Sequence, residues 1–204
     1  MIVKDLGLTD YVSTCNAMQD FTANRDAETA DELWLLEHHS VFSQGIKGQS
    51  EHVLDLGSIP LVQSDRGGQV TYHGPGQLIA YTLFDLRRLG MGVRDMVTCL
   101  ENTAIAMLAE QCIDAYSDSD APGVYIAGEK IASLGLRVKR GACYHGISIN
   151  VDMDLEPFLS INPCGYQGMK MTDLKTLGCD LSIAQVKQKI VATLKMELNM
   201  KGEQ

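Results

Sequence analysis

Apolar and polar positions along the chain change period several times, and each change marks an element. Residues 10–25 carry Val12, Cys15, Met18 and Thr22 at helical spacing, which predicts an opening helix. Leu33, Trp34, Leu35 and Leu36 make a short apolar run with the length of a buried strand, and residues 60–63 predict another. Residues 69–73 and 77–84 predict two strands separated by Gly74-Pro75-Gly76, a strong turn signal. The clearest helix is 93–112, where Val93, Met96, Val97, Leu100, Ala104, Met107, Leu108 and Cys112 fall on one stripe. Residues 123–126 and 130–137 follow as strands joined across Gly128, and alternation resumes over 145–151. A last helix opens at Ser182, with Gln185 completing a capping box, and carries Ile183, Val186, Ile190 and Leu194 inward.

Strands therefore come in clusters rather than alternating singly with helices. That pattern predicts an α+β fold with a mixed, largely antiparallel sheet flanked by helices. No repeat, low-complexity tract or linker interrupts it, so residues 1–204 read as one domain, with room for a small C-terminal lobe from about residue 176.

Charge and cysteine usage narrow the picture. A net charge of −9 argues against nucleic-acid binding, which rests on phosphate neutralisation. The positive charge is clustered, at Arg137, Lys139 and Arg140 and again at Arg87 and Arg88. Either cluster is a solvated element edge or a local docking patch; the first follows Lys130 closely enough to be expected on the same rim. No apolar run approaches the roughly 20 residues of a membrane span, and the first residues lack the pattern of a secretory or transit segment. A cytoplasmic location with no membrane contact is the expectation. The cysteines (Cys15, Cys99, Cys112, Cys143, Cys164, Cys179) are spread out without Cys-x-x-Cys pairs, which suits free thiols in a reducing compartment. A zinc site from Cys143, His145 and Cys164 or Cys179 can be drawn, but the paired-ligand spacing is missing.

Three stretches are richer in glycine and special polar residues than a core requires. Arg66-Gly67-Gly68-Gln69-Val70-Thr71-Tyr72-His73-Gly74-Pro75-Gly76-Gln77 reads either as a loop presenting backbone to a ligand or as a glycine-rich hairpin whose His73 satisfies a core hydrogen bond. In Gly128-Glu129-Lys130-Ile131-Ala132-Ser133-Leu134-Gly135, Lys130 follows a turn and precedes apolar residues. Most lysines solvate a surface; this one has a stem that can run inward, where burial lowers an amine's pKa and a cation stabilises a thiolate. In Asn162-Pro163-Cys164-Gly165-Tyr166, the flanking Pro and Gly force a tight turn, unlike the helical settings of Cys15, Cys99 and Cys112. A thiol on a turn beside a cation becomes a good nucleophile.

Taken with His145-Gly146-Ile147-Ser148-Ile149-Asn150-Val151, these stretches resemble the octanoyltransferases of lipoate biosynthesis, over about residues 33–175. The wording at Gly146-Ile147-Ser148 varies mildly from the commonest form in that family. The resemblance implies the α+β architecture shared with biotin and lipoate ligases. It also implies a ping-pong acyl transfer without cofactor or metal. An octanoyl group passes from acyl carrier protein to a cysteine, then to a lysine ε-amine on lipoyl domains of 2-oxoacid dehydrogenase subunits or the glycine cleavage H protein. Carried over residue by residue, Cys164 matches the acyl-thioester nucleophile and Lys130 the residue that lowers its pKa. Arg66, Gly67, Gly68, Gln69, Val70, Thr71, Tyr72 and His73 match the acyl-binding loop. Ser133, Leu134, Gly135, Gly146, Ile147 and Ser148 match the other substrate-binding walls. An ATP-dependent lipoate ligase is the nearest rival, but it would activate its acid as an adenylate and would need no cysteine.

Overall fold

The computed structural model describes residues 1–202. In chain order the elements are β1 (Ile2–Thr9), α1 (Tyr11–Asn24), β2 (Glu32–His38), β3 (Val41–Gln44), β4 (Leu61–Gln63), β5 (Val70–His73), β6 (Gln77–Asp85), α2 (Val93–Ala109), β7 (Tyr116–Ser117), β8 (Gly123–Ile126), β9 (Glu129–Lys139), β10 (Ala142–Asn150) and α3 (Ile183–Gly202). A seven-stranded sheet runs β1-β2-β6-β10-β9-β8-β7, and a three-stranded sheet runs β4-β3-β5. Among the named strands of the described residues, β1–β2 and β3–β4 pair in parallel and the other pairs are antiparallel. The class is α+β, as the clustering of strands predicts.

Each face of the large sheet is closed differently. On one side, Met96, Leu100 and Met107 of α2 and Val186, Ile190 and Leu194 of α3 join Leu78, Ile147 and Ile149 in one buried cluster. On the other, Met18 of α1 packs against Trp34, Leu36, Ile79, Tyr81 and Tyr144. The small sheet has its own cluster, in which Phe42, Val70 and Tyr72 meet Phe158 and Ile161. The capping box of α3 forms as the sequence predicts, with Ser182 N donating to Gln185 Oε1 at 2.9 Å and Gln185 N to Ser182 Oγ at 3.3 Å.

Two helices depart from their predicted stripes. Asp10 caps α1 by accepting from Ser13 N at 2.8 Å, and the buried face becomes Tyr11, Thr14, Met18 and Thr22, with Val12 turned outward. The α2 helix ends at Ala109; Cys112 lies beyond it, exposed, at a left-handed φ of 60°, and Val93 at the other end of the stripe is exposed as well. Strands β1, β3 and β7 carry no periodic signal. The β1 strand is mostly exposed along its length and held to the body by Lys4–Glu32 and Lys187–Asp5 ion pairs, each at 2.7 Å.

Candidate active site

The site begins at two adjacent turns. Pro163–Gly165 forms a short 3-10 turn in which Cys164 takes φ 57° and ψ 14°, a left-handed conformation uncommon for a residue with a side chain. Gly165 follows at φ 83°, and the turn closes through Gly165 N to Asn162 O and Tyr166 N to Pro163 O. Such backbone conformations cluster at functional sites because the surrounding structure must enforce them. Here Cys164 is left half-buried, with its sulfur facing β9.

Lys130 supplies the facing group. It lies at the start of β9, where the register against β8 slips between Val124 and Tyr125, so that Ile131 and Ala132 both enter the main cluster. A bulge of this kind re-aims the neighbouring side chain. Thr172 N donates to Lys130 O and Lys130 N to Lys170 O, which fixes the backbone from the other edge. The side chain is wholly buried, and its Nζ donates to Cys164 Sγ at 3.1 Å and to Pro122 O at 3.0 Å, 5.2 Å from the Tyr125 ring centre. Gly123 makes room for this stem: a Cβ there would lie 2.3 Å from Lys130 Cε. Burial pushes the amine's pKa down, but its contacts with Cys164 and Tyr125 push it up by more, and the net direction is up. The Lys130 amine therefore stands as an ammonium against the Cys164 sulfur.

A pocket leads away from Cys164 across β6, β9 and β10. Its walls are Ile79, Tyr81, Leu134 and Ile147, with Ser133, Gly135, Gly146 and Ser148 between them; Arg66, Gly68, Gln69, Thr71, His73 and His145 complete it. Strand alternation decides which loop residues take part: Thr71 and His73 face the pocket, while Val70 and Tyr72 point into the small-sheet cluster and do not line it. Gly67 instead lines a second groove that also reaches Cys164, between Lys47, Val93, Val97, Pro122 and Tyr166.

The glycine-rich segment is a strap laid on β9. Gly67 N donates to Leu136 O at 3.0 Å, and Gly135 permits the approach, since a Cβ there would stand 3.0 Å from Gly67 O. Arg66 is buried and clasps the strap from beneath, its guanidinium donating to Ser43 O at 2.6 Å, Ser43 Oγ at 2.9 Å, Gly67 O at 2.8 Å and Gln69 O at 2.8 Å. From Ser43 a chain of hydrogen bonds runs to His73 Nε2 at 3.0 Å, from His73 Nδ1 to Gln77 Oε1 at 2.7 Å, and from Gln77 Nε2 to Asn150 Oδ1 at 2.9 Å. Asn150 Nδ2 then donates to Thr172 O at 2.9 Å. Burial, more than any other influence, holds His73 far below its ordinary pKa, so it is neutral in this chain.

Sequence reasoning missed several groups. Ile79 and Tyr81 read as ordinary strand core. His145 read as the first residue of a strand and of the His-Gly-Ile-Ser motif and as a zinc candidate, yet its φ of 62° turns the ring off the alternation to meet Asp65 Oδ1 at 3.0 Å. Tyr144 donates to the other oxygen of Asp65. Burial pushes Asp65 up, but its bonds to His145 and Tyr144 outweigh that and bring its pKa down to about 2. Cys143 lies buried against Thr82, and no three His, Cys, Asp or Glu side chains converge as a metal site among the described residues. The expected basic rim is also misplaced. Lys139 and Arg140 end the β9 hairpin, and at about 3.3 Å per residue an extended strand sets them roughly 30 Å from Lys130. Arg87 crosses Gly141 at that same end, and Arg88 is committed to Asp31 at 2.6 Å. Lys47 and Lys170 are exposed cations beside the site.

Fold and site together place the chain in a class: α+β domains of the lipoate and biotin protein ligase kind. It superposes on a lipoate protein ligase of Thermoplasma acidophilum with bound lipoic acid at a TM-score of 0.79 and 16% identity, covering 97% of this chain and 86% of that one. A biotin protein ligase of Aquifex aeolicus aligns at a TM-score of 0.61 and 13% identity, over 100% and 71%. Residues 10–195 match the lipoyl protein ligase A/B catalytic domain, and the chain belongs to that family. Within it, the sequence is similar to curated octanoyltransferases. That of Hahella chejuensis is 61% identical over 91% of this chain and 83% of the relative; that of Chromobacterium violaceum is 54% identical over 99% and 98%.

Proposed function

We propose that this chain is an octanoyltransferase that carries an octanoyl group from acyl carrier protein to a lysine ε-amine of lipoyl domains, as a thioester on Cys164. The observation that carries the reading is the 3.1 Å contact between a buried lysine amine and a half-buried thiol at the mouth of an apolar pocket. Each methylene buried on such walls contributes about 0.8 kcal/mol, which suits a medium-length acyl tail. The second groove gives the carrier arm and the incoming lysine a separate approach to the same sulfur.

The chemistry closes on these two side chains. The Cys164 thiolate attacks the carrier thioester; the carrier sulfur departs and takes the proton of the Lys130 ammonium. What remains is an acylated, uncharged sulfur beside a neutral amine. The charge that held the Lys130 pKa up has gone, and burial alone now pushes it down. The amine of the incoming lysine attacks the thioester carbonyl, Lys130 receives its proton, and Cys164 leaves as thiolate, restoring the starting pair. Thioester exchange is nearly isoenergetic and amide formation is downhill, so the scheme needs no ATP, cofactor or metal. The residues of the strap and of β9 and β10 named above form the acyl site, in one catalytic domain whose last two residues, 203–204, lie outside the described span. The compartment is the cytoplasm, and the acceptors are lipoyl domains of 2-oxoacid dehydrogenase subunits and the glycine cleavage H protein; among the described residues no helix is long and apolar enough to cross a membrane.

The test is a choice of donors. Octanoyl carrier protein with an apo lipoyl domain should give the octanoyl amide without nucleotide. Turnover only with free octanoate and ATP would assign a ligase instead.

A further inference from the structure

The contact that holds Lys130 does not end at Pro122. The Pro122 carbonyl that accepts from Lys130 Nζ belongs to the same peptide group as the Gly123 N–H, and that N–H donates to Glu101 Oε1 at 2.9 Å. Glu101 sits on α2 on the buried face shared with Leu100 and Ala104, 7% exposed, a placement glutamates avoid unless paired. A peptide group polarised by a carboxylate at its N–H presents a more negative oxygen at its carbonyl. The four groups are thus in series: Glu101 carboxylate, Pro122–Gly123 peptide, Lys130 amine, Cys164 sulfur.

We propose that Glu101 is a positioning residue for Lys130, acting through the Pro122–Gly123 peptide as the far end of a carboxylate–peptide–amine–thiol relay. This rests on the reading of Cys164 and Lys130 given above and adds to it a source of basicity for the acylated state. When Cys164 is a thioester, its negative charge is lost, and burial alone would leave Lys130 too weak a base to hold the proton of the incoming amine. Glu101 remains as an anion on the other side of the peptide and sustains that proton affinity. The groups facing Lys130 are Cys164 from its turn, Tyr125 from β8 and Glu101 from α2; Tyr125 is held in its neutral phenol form by burial first of all. Burial pushes Glu101 itself upward, with the Gly123 amide and Lys130 opposing. The glycine at 123 keeps the chain of contacts short by letting the Lys130 stem lie against it.

The experiment titrates Lys130 directly, by the Cε resonance of ¹³C-lysine-labelled protein, identified by its loss in Lys130→Met. Cys164→Ser supplies a neutral partner in place of the thiolate, standing for the acylated sulfur. Its Lys130 midpoint should fall below that of the parent, and adding Glu101→Gln, which keeps an oxygen for the Gly123 N–H, should lower it further by about one pH unit. A Lys130 midpoint unmoved by Glu101→Gln overturns the relay, whether or not Cys164→Ser moved it. A fall with Glu101→Gln but none with Cys164→Ser supports the relay and removes the thiolate pairing. If Glu101→Gln does not fold, Glu101→Asp withdraws the charge by one methylene, and a smaller fall in the same direction is required; no fall overturns the proposal.

Discussion

At the scale of single residues, the account turns on what Lys130 does that a fixed cation cannot. Arginine keeps a positive charge beside Cys164 and has no proton to give up near neutral pH. Lys130→Arg should therefore slow both halves of the reaction, acylation because the departing carrier sulfur loses its proton source and amide formation because the incoming amine loses its base, with turnover falling by about 10²- to 10⁴-fold, the usual worth of a positioned acid or base. Burst kinetics followed by intact mass would separate the halves. Equal turnover in the variant would reduce Lys130 to an electrostatic partner. The two side chains were legible in the sequence, Cys164 from its Pro-Cys-Gly turn and Lys130 from its place between a turn and an apolar run. Their partners were not. Tyr125, Pro122, Gly123 and Glu101 reach Lys130 only through the β8–β9 pairing and the packing of α2, and no local pattern encodes such contacts.

Among the elements, the strap is the part proposed to bind substrate, and Arg66 carries the strap. Its guanidinium fork is spent on Ser43 and on the carbonyls of Gly67 and Gln69, so it shapes the loop from beneath. Lysine cannot reproduce that fork. Arg66→Lys should loosen residues 66–69, raise KM for octanoyl donors about tenfold or more, and expose the strap to limited proteolysis, with the acylated Cys164 still forming at saturating donor. Unchanged KM and unchanged cleavage would show that β9 alone holds the strap. Glycines in this segment signalled a close approach, and Gly67 against Leu136 is that approach. Two errors of the sequence reading have physical causes here. Val70 and Tyr72 belong to the same loop as their pocket-facing neighbours but point away because a strand alternates. His145 breaks that alternation through a positive φ, which nothing in His-Gly-Ile-Ser announces. The helix ends erred for a related reason: Val93 and Cys112 fit the stripe but lie past the surface that α2 covers.

For the whole molecule, a chain at −9 would meet the acidic carrier and lipoyl domains that the family resemblance implies through a local patch of opposite sign. The hairpin end with Lys139 and Arg140 lies at the far end of β9 from Lys130, whereas Lys47 lines a groove that reaches Cys164 and Lys170 is bonded through its backbone to Lys130. Lys47→Glu with Lys170→Glu should raise KM for carrier protein and flatten its salt dependence with little change in kcat, while Lys139→Glu with Arg140→Glu should leave both unchanged. The reverse outcome would move docking to the hairpin. Acid stability follows from the histidines enclosed by the fold. Burial is the main cause of the depressed pKa of His38, lowered to about 4, and of His73 and His145. Groups depressed in this way contribute stability that is intact above their ordinary 6.5 and lost as pH falls below it, because the unfolded chain takes up protons that the folded chain refuses. The melting temperature should drop steeply between about pH 6.5 and 4, and His38→Gln should shallow that slope; a flat profile would mean these rings are protonated in the native state. The most direct test of the central claim is intact mass and peptide mapping after mixing the protein with octanoyl carrier protein. The account predicts one octanoyl adduct, on Cys164, which disappears on adding an apo lipoyl domain as fast as the amide appears and never forms in Cys164→Ala; an adduct on that variant, or transfer without any adduct, would contradict it.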